Sequence, residues 1–427
     1  MAEIIPFRGW RYHPRFASQI QNLVSPLFDV VSAKQRTLLY NNPFNSIHLS
    51  VPKSENPAQQ AAMTLAHWKA DKVIVQDKKP SIYVYYQYFN KAGTAKTLVR
   101  KGFMVYIKAT SWEEPDLMRH ENTIPLAVND RTEILRATNI HASATHGLYH
   151  DPEFVLEKYL DEAVKHNLIY ETEDYQGVRD AIAVIDEPSI IQIFIDKIRT
   201  QQIVLADGHH RYESSQAVRQ ERMAANPNHT GKELYNYHLM YLTNSAADDL
   251  RILPTHRLLY GLESLTDENT VMQKVALYFK VRYVENASDL AEIIAGKKWA
   301  FGLVFPENAY FIQLKPDMIN ELKWQFPDAV KELDLTVLHY FFIELVAGIK
   351  GHAQRASANI QFERNYVSCL EKVGKQEVQL ALIVNEIHID EVHKVCKTGF
   401  TMPQKSTYFY PKVLAGLVFG EIDNPLS

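Results

Sequence analysis

Cysteine is almost missing from this chain. Cys369 and Cys396 are the only two in 427 residues, which leaves no disulfide framework and no zinc-type spacing. Glycine is sparse as well, at 16 residues, and neither G-x-G-x-x-G nor G-x-x-x-x-G-K-[ST] occurs. Any phosphate bound here is held outside the common glycine-rich devices. H-E-x-x-H, G-x-S-x-G and the protein-kinase signature set are missing too. No apolar run reaches 18 residues, and the opening "MAEIIPFRGWRYHP" has no apolar signal core. These absences predict a soluble, cytoplasmic protein with no membrane partner. A basic excess is also lacking: Lys+Arg number 46 against 50 Asp+Glu, for a net charge of −4. That weighs against a general nucleic-acid partner, which needs a basic face, although a local basic pocket stays open.

What is present is a chain that is 46% hydrophobic and 22% charged, long enough for two or three domains with their own cores. "SIYVYYQYF" and "GFMVYIKA" read as a strand pair across a turn at Lys91–Thr94. A strand is expected at "AEIIPFRGW", a helix near Phe16–Leu27, and a helix with its exit between Asp130 and Leu148. "FVLEKYLDEAVKH" has helical spacing, "DAIAVID" reads as a strand, and "PSIIQIFIDKIRT" as a helix entered through Pro188. After about Asp249 the pattern restarts. "FKVRYV" is a strand, "ASDLAEIIAGK" a helix, and "AFGLVFP" with "AYFIQLK" a hairpin. "LDLTVLHYFFIELVAGI" is one long apolar helix, "VQLALIV" a buried strand and "IDEVHKVCKTG" a last helix. The reading is mixed α/β (α+β), with domains at 1–248 and 249–427.

The densest chemistry lies in "QQIVLADGHHRYE", where a strand meets a helix across Asp207-Gly208. A metal site would use His209 and His210, but neighbours on a helix diverge by about 100° and Arg211 beside them repels a cation. A phosphoryl group fits better. Gly208 permits a sharp turn, the helix start offers N–H groups and a positive dipole end, and Arg211 can clamp two oxygens. The plainer alternative is that Asp207 merely caps the helix while the histidines sit on its surface.

Segments along nearly the whole chain resemble the DUF1015 family: "IIPFRGWRYHP", "SPLFDVV", "NPFNSIHL", "RHENTI", "NDRTEILRATN", "GLYHD", "ADGHHRYE", "LPTHRLL" and "MPQKSTYFYPK". The chain departs from that pattern where Leu27 and Phe28 replace a Pro and a Tyr, while Asp29 is kept. More locally, "IVLADGHHRYE" is similar to the strand–loop–helix box of the ParB/sulfiredoxin fold. In that fold the turn holds nucleotide phosphates, in DNA-partition CTPases and in kinases acting on free serine. The resemblance implies a ParB/sulfiredoxin-like N-terminal domain with insertions, plus a C-terminal α+β domain whose last loop returns to the site. It implies a phosphotransferase on serine, using Mg²⁺ and ATP or ADP, with a small molecule and a nucleotide as its partners. A phosphoserine phosphatase, a ParB-type nucleotide-binding module and a metal-dependent hydrolase are the alternatives.

Phosphoryl transfer needs cation clamps, an oxygen-held metal and a base for the acceptor. Glu121, in the loop "RHENT", and Asp29 are the candidate bases, with His209 as a third catalytic group. Gly208, His210, Arg211, Arg8, Lys405, Ser406 and Thr407 are the expected phosphate or nucleotide ligands. His48, His120, His256 and Arg257 are assigned to the substrate, and Asp207 to Mg²⁺. Asp130-Arg131 reads as a structural ion pair, and His141, His146 and His150 read as packing.

Overall fold

The computed structural model describes residues 1–90, 96–174 and 176–423; the turn expected at Lys91–Thr94 lies outside them. The chain forms two units. The first runs from Met1 to Leu250 and takes in the segment from Pro411 onward; the second is Arg251–Tyr410. The segment from Pro411 onward, read along the sequence as part of a domain at 249–427, belongs with the first unit.

Nine strands make one sheet in the first unit. They are β1 (Ile4–Ile5), β2 (Ile82–Asn90), β3 (Thr97–Lys108), β4 (Leu117–Arg119), β5 (Thr145–Tyr149), β6 (Leu168–Glu173), β7 (Arg179–Ile185), β8 (Ile203–Asp207) and β9 (Tyr237–Asn244). Their order is β4-β8-β5-β9-β3-β2-β7-β6, with β1 paired against the end of β3. The pairs β8–β4 and β9–β5 are parallel; the central β9–β3, β3–β2 and β2–β7 pairs are antiparallel.

Alternation along β2 and β3 explains why their sequence is apolar almost throughout. Ile82, Val84, Phe103 and Val105 enter one core with Leu160 and Phe194, from the helices Glu157–His166 and Pro188–Arg199. Tyr83, Tyr85, Met104 and Tyr106 enter another with Trp68, Leu417 and Phe419. Both faces are covered, so both parities must be apolar or aromatic.

Two helices frame the site. Helix α1 (Pro125–Thr138) ends on Asn139 in the left-handed region, as a helix C-terminus commonly does. Helix α2 (His209–Ala225) follows β8 directly. The helices touch where Ser214 Oγ donates to the Val128 carbonyl at 3.1 Å. The helix expected near Phe16–Leu27 is instead a 3₁₀ helix, Pro14–Asn22.

The second unit holds a six-stranded sheet, with the expected hairpin between Ala300–Val304 and Ala309–Leu314. The expected long apolar helix differs. Asp334–Val337 is α-helical, and Leu338–Glu344 is wound as a π-helix. There Gln354 Nε2 donates to the His339 carbonyl at 3.0 Å, which gives that carbonyl a partner outside the ordinary helical ladder. No helix among the described residues is long and apolar enough to cross a membrane.

Candidate functional site

The strand β8 delivers Asp207 out of register: its pairing with β5 shifts between Leu205 and Asp207, and such a bulge re-aims a side chain. Gly208 follows at φ +92°. A Cβ there would stand 2.6 Å from Thr145 Cγ2 and 2.8 Å from Arg211 Nη2, so both the backbone and the space demand glycine. Gly208, and not Asp207, is the N-cap of α2, and no side chain caps the helix. The aspartate is used otherwise. Its Oδ1 accepts from the Lys412 ammonium, and its Oδ2 lies 3.0 Å from Arg211 Nη2. Burial pushes the carboxyl up, but Lys412 and Arg211 more than reverse this and hold it well below the usual carboxylate range. Arg211 is braced in turn, since Nη1 donates to Ser143 Oγ at 2.9 Å and to the Ala144 carbonyl at 2.6 Å. Its Nε has no hydrogen-bond partner.

The two adjacent histidines part company, as helical geometry requires. His209 is buried, its Nε2 unpartnered, and packs edge-on against His120 at 4.8 Å between ring centres. His120 Nδ1 is 2.9 Å from the Leu205 carbonyl. Burial lowers His120 to about 4 and holds His209 well below its ordinary value, so both rings are neutral at pH 7. His210 turns the other way and accepts from the Ile124 amide at 3.0 Å. It straps the "RHENT" loop to α2 in place of the phosphate contact expected of it. Thr123 Oγ1 donates to Glu213 at 2.6 Å and adds a second strap.

Among the described residues no group of three or more His, Cys, Asp or Glu side chains could hold a metal ion. Asp207 does not fit the magnesium role either, because its two oxygens already answer to Lys412 and Arg211. Those cations would oppose a metal at the same carboxylate.

The other expected residues sort unevenly. Asp29 is exposed and close enough to Arg211 to favour its charged form, so the structure brings these two together. Glu121 is half-buried in the strapped loop. Arg8 instead donates from Nε to the Asp77 carbonyl at 2.9 Å. His48 Nε2 lies 3.0 Å from the Asn42 carbonyl. Neither is held by the residues of the turn.

His256, Arg257 and the Lys405–Thr407 loop belong to the second unit. There His256 Nδ1 accepts from the Val384 amide at 3.3 Å. Arg257 is fully buried and spends its guanidinium on His339 and on the carbonyls of Thr255, Gln404 and Lys405. Burial lowers it to about 9. It acts as an internal brace, which is a different duty from binding substrate. Lys405 is exposed at φ +54°, and Ser406 Oγ donates to the Pro403 carbonyl.

Two features escaped the sequence reading. Lys412, and not Lys405, is the ammonium of "MPQKSTYFYPK" that reaches Asp207; the motif itself was the available signal. The second is a row across three strands, Asp180 on β7, Gln87 on β2 and Arg100 on β3, in direct register. Gln87 bridges the two charges: it accepts from Arg100 and donates to Asp180 Oδ1 at 3.0 Å. Arg100 also donates to the Pro411 carbonyl, and Gln87 to the Lys412 carbonyl at 3.1 Å. The segment carrying Lys412 is thus pinned to the sheet on both sides of its side chain.

No curated protein matches the chain. Similar solved structures include a free serine kinase in complex with AMP, 13% identical, with a TM-score of 0.36, covering 75% of this chain and 91% of that one. Another is a C-terminally truncated SbnI from Staphylococcus aureus, 12% identical, with a TM-score of 0.33, covering 75% and 87%. A conserved hypothetical protein from Pyrococcus furiosus is 13% identical, with a TM-score of 0.33, covering 72% and 90%. Likenesses this remote assign no activity. The family model described as a protein of unknown function, DUF1015, matches residues 4–336, and the chain belongs to that family.

Proposed function

We propose that this protein is a small-molecule phosphotransferase, most simply a kinase acting on free serine, whose phosphoryl group is received at the Asp207–Arg211 turn. The observation that carries the reading is one carboxylate shared by two cations at the mouth of an uncapped helix. A phosphoryl oxygen offers Lys412 and Arg211 the same charge that Asp207 now supplies. Each charge-assisted hydrogen bond of this kind contributes about 1.5–3 kcal/mol, and the helix start adds about 0.3–1 kcal/mol. Gly208 lets the backbone approach. His209 and His120, neutral beneath the turn, add no charge that would trap the product.

In the transfer, the acceptor hydroxyl forms the new O–P bond as the bond to the donor's leaving oxygen breaks, and its proton passes to a carboxylate. Asp29 and Glu121 are the two carboxylates proposed for that step. The choice of serine as acceptor and of ATP or ADP as donor rests on the likeness of "IVLADGHHRYE" to the phosphate-holding box of free-serine kinases. Magnesium would come with the nucleotide, and no residue described here is assigned to it.

Phosphorus NMR tests the reading directly. The protein is incubated with Mg²⁺ and serine plus ATP, ADP or pyrophosphate, and separately with phosphoserine alone. A phosphoserine signal that disappears in Lys412→Ala and Arg211→Ala is the expected result. Inorganic phosphate released from phosphoserine alone would replace the kinase with a phosphatase. No change in any tube would remove serine phosphorylation.

A further inference from the structure

Beside Arg211 a cleft opens between α1 and the segment Ile140–Ser143. Its walls are apolar: Leu49, Ile134, Leu135, Ile140 and Ala142 line it. Phe28 joins them at the rim, with the Arg131 guanidinium carbon 4.4 Å from its ring centre. Arg131 also binds Asp130 and the Ser50 carbonyl at 2.5 Å, so it is held over the ring.

Three of the lining residues each carry a buried polar atom with no hydrogen-bond partner: Ser50 Oγ, His141 Nε2 and Arg211 Nε. Ser50 and His141 are only 7% and 6% exposed. Buried polar atoms left unmatched are costly, and several around one apolar cleft point to a ligand that supplies the matches. A purely aliphatic ligand would leave all three unmet. A sugar would waste the apolar walls. A flat heteroaromatic ring with nitrogen and oxygen on its edge satisfies both, and the Phe28–Arg131 pair offers it a stacking surface.

We propose that this cleft holds the base of a nucleotide whose phosphate chain leads to Arg211 and the Asp207 turn. This rests on reading the turn as a phosphate site, and it adds where the base lies. Arg211 joins the two parts, because its Nη2 meets Asp207 and the residue also lines the cleft. Asp29, next to Phe28 in the chain, also acts on Arg211.

The test separates base from phosphate. Binding of ADP and of pyrophosphate to the full chain is measured by calorimetry, for wild type, Phe28→Ala, Ala142→Leu and Lys412→Ala, with thermal unfolding as the folding control. The cleft variants are expected to weaken ADP at least tenfold and leave pyrophosphate within twofold; Lys412→Ala should weaken both. In parallel, 8-azido-ADP is photolysed on the wild-type protein and the labelled peptide is identified. This readout needs no variant to fold. Label within Ile134–Ser143 or at Phe28 supports the assignment. ADP binding with label elsewhere overturns the cleft and leaves the phosphate reading standing. If neither ADP nor pyrophosphate binds, the phosphate reading falls, and this assignment with it.

Discussion

Asp207 is bound to two cations, which makes its removal and its protonation separable experiments. Lys412→Met leaves Asp207 in a neutral pair with Arg211, whereas Asp207→Asn leaves two largely buried cations without a counter-charge, at a cost of about 3–5 kcal/mol. Adding Lys412→Met to Asp207→Asn removes one of those two cations and should recover part of the Asp207→Asn loss. Urea unfolding of the wild type, the single variants and the double variant checks this; simple additivity would sink the idea of a shared charge. The pH dependence has a fixed sign. Because the folded pKa is depressed, the stabilisation is complete above the ordinary aspartate range and is lost as pH falls below it. At this scale the sequence was readable where partners are neighbours: Asp207, Gly208 and Arg211 sit within five positions. It was not readable for Lys412, which lies 205 positions from its carboxylate. Nor did Arg131 or His141 announce a cleft, since an ion pair and a packed ring are what their local sequence shows.

The row Asp180–Gln87–Arg100 makes β7, β2 and β3 an electrostatic element as well as a scaffold. Burial raises the Asp180 carboxyl to about 7, despite hydrogen bonds from Tyr85 and Gln87 that act the other way. A raised carboxyl stabilises the fold fully only below the ordinary value near 4, and that stabilisation is lost as pH climbs towards 7, at about 1.4 kcal/mol per unit. Asp180→Asn removes this slope. The variant is expected to unfold at a higher temperature than wild type at pH 8 and at nearly the same temperature at pH 4. A variant less stable at pH 8 would show that Arg100 needs the carboxylate charge. Elements themselves were largely legible, because β2, β3, β7 and β8 combine β-branched or aromatic residues with clear boundaries. The departures have local causes: Pro14 begins a 3₁₀ helix, and around His339 tertiary hydrogen bonds, not periodicity, decide the winding.

Across the whole molecule, buried neutral imidazoles dominate the acid response. Burial lowers His120, His141, His146, His209 and His238 in the first unit, and His256 and His339 in the second. Raised carboxyls at Asp180 and Asp334 act in the opposite sense. Unfolded histidines take up protons near pH 6.5, so stability is complete above that value and falls as pH drops towards 4. Urea midpoints measured between pH 7.5 and 5 should decline, with a net uptake on the order of four protons on unfolding near pH 5.5. A flat profile would mean that these rings are already charged in the fold. The restart of the pattern after Asp249 suggests a division, but the return of the chain end was not legible, because no composition shift marks Pro411.

That return has a consequence for synthesis. Besides Lys412, the returning segment pairs Ala415 with Ser25, Phe419 with Trp10 and Glu421 with Ile140. On the ribosome, the whole second unit is translated before any of these partners exists. Until then Asp207 has only Arg211 as its cation partner, and the turn lacks its net positive charge. A chain that stalls within the second unit therefore carries every residue of "DGHHRYE" and still lacks the ammonium that completes it.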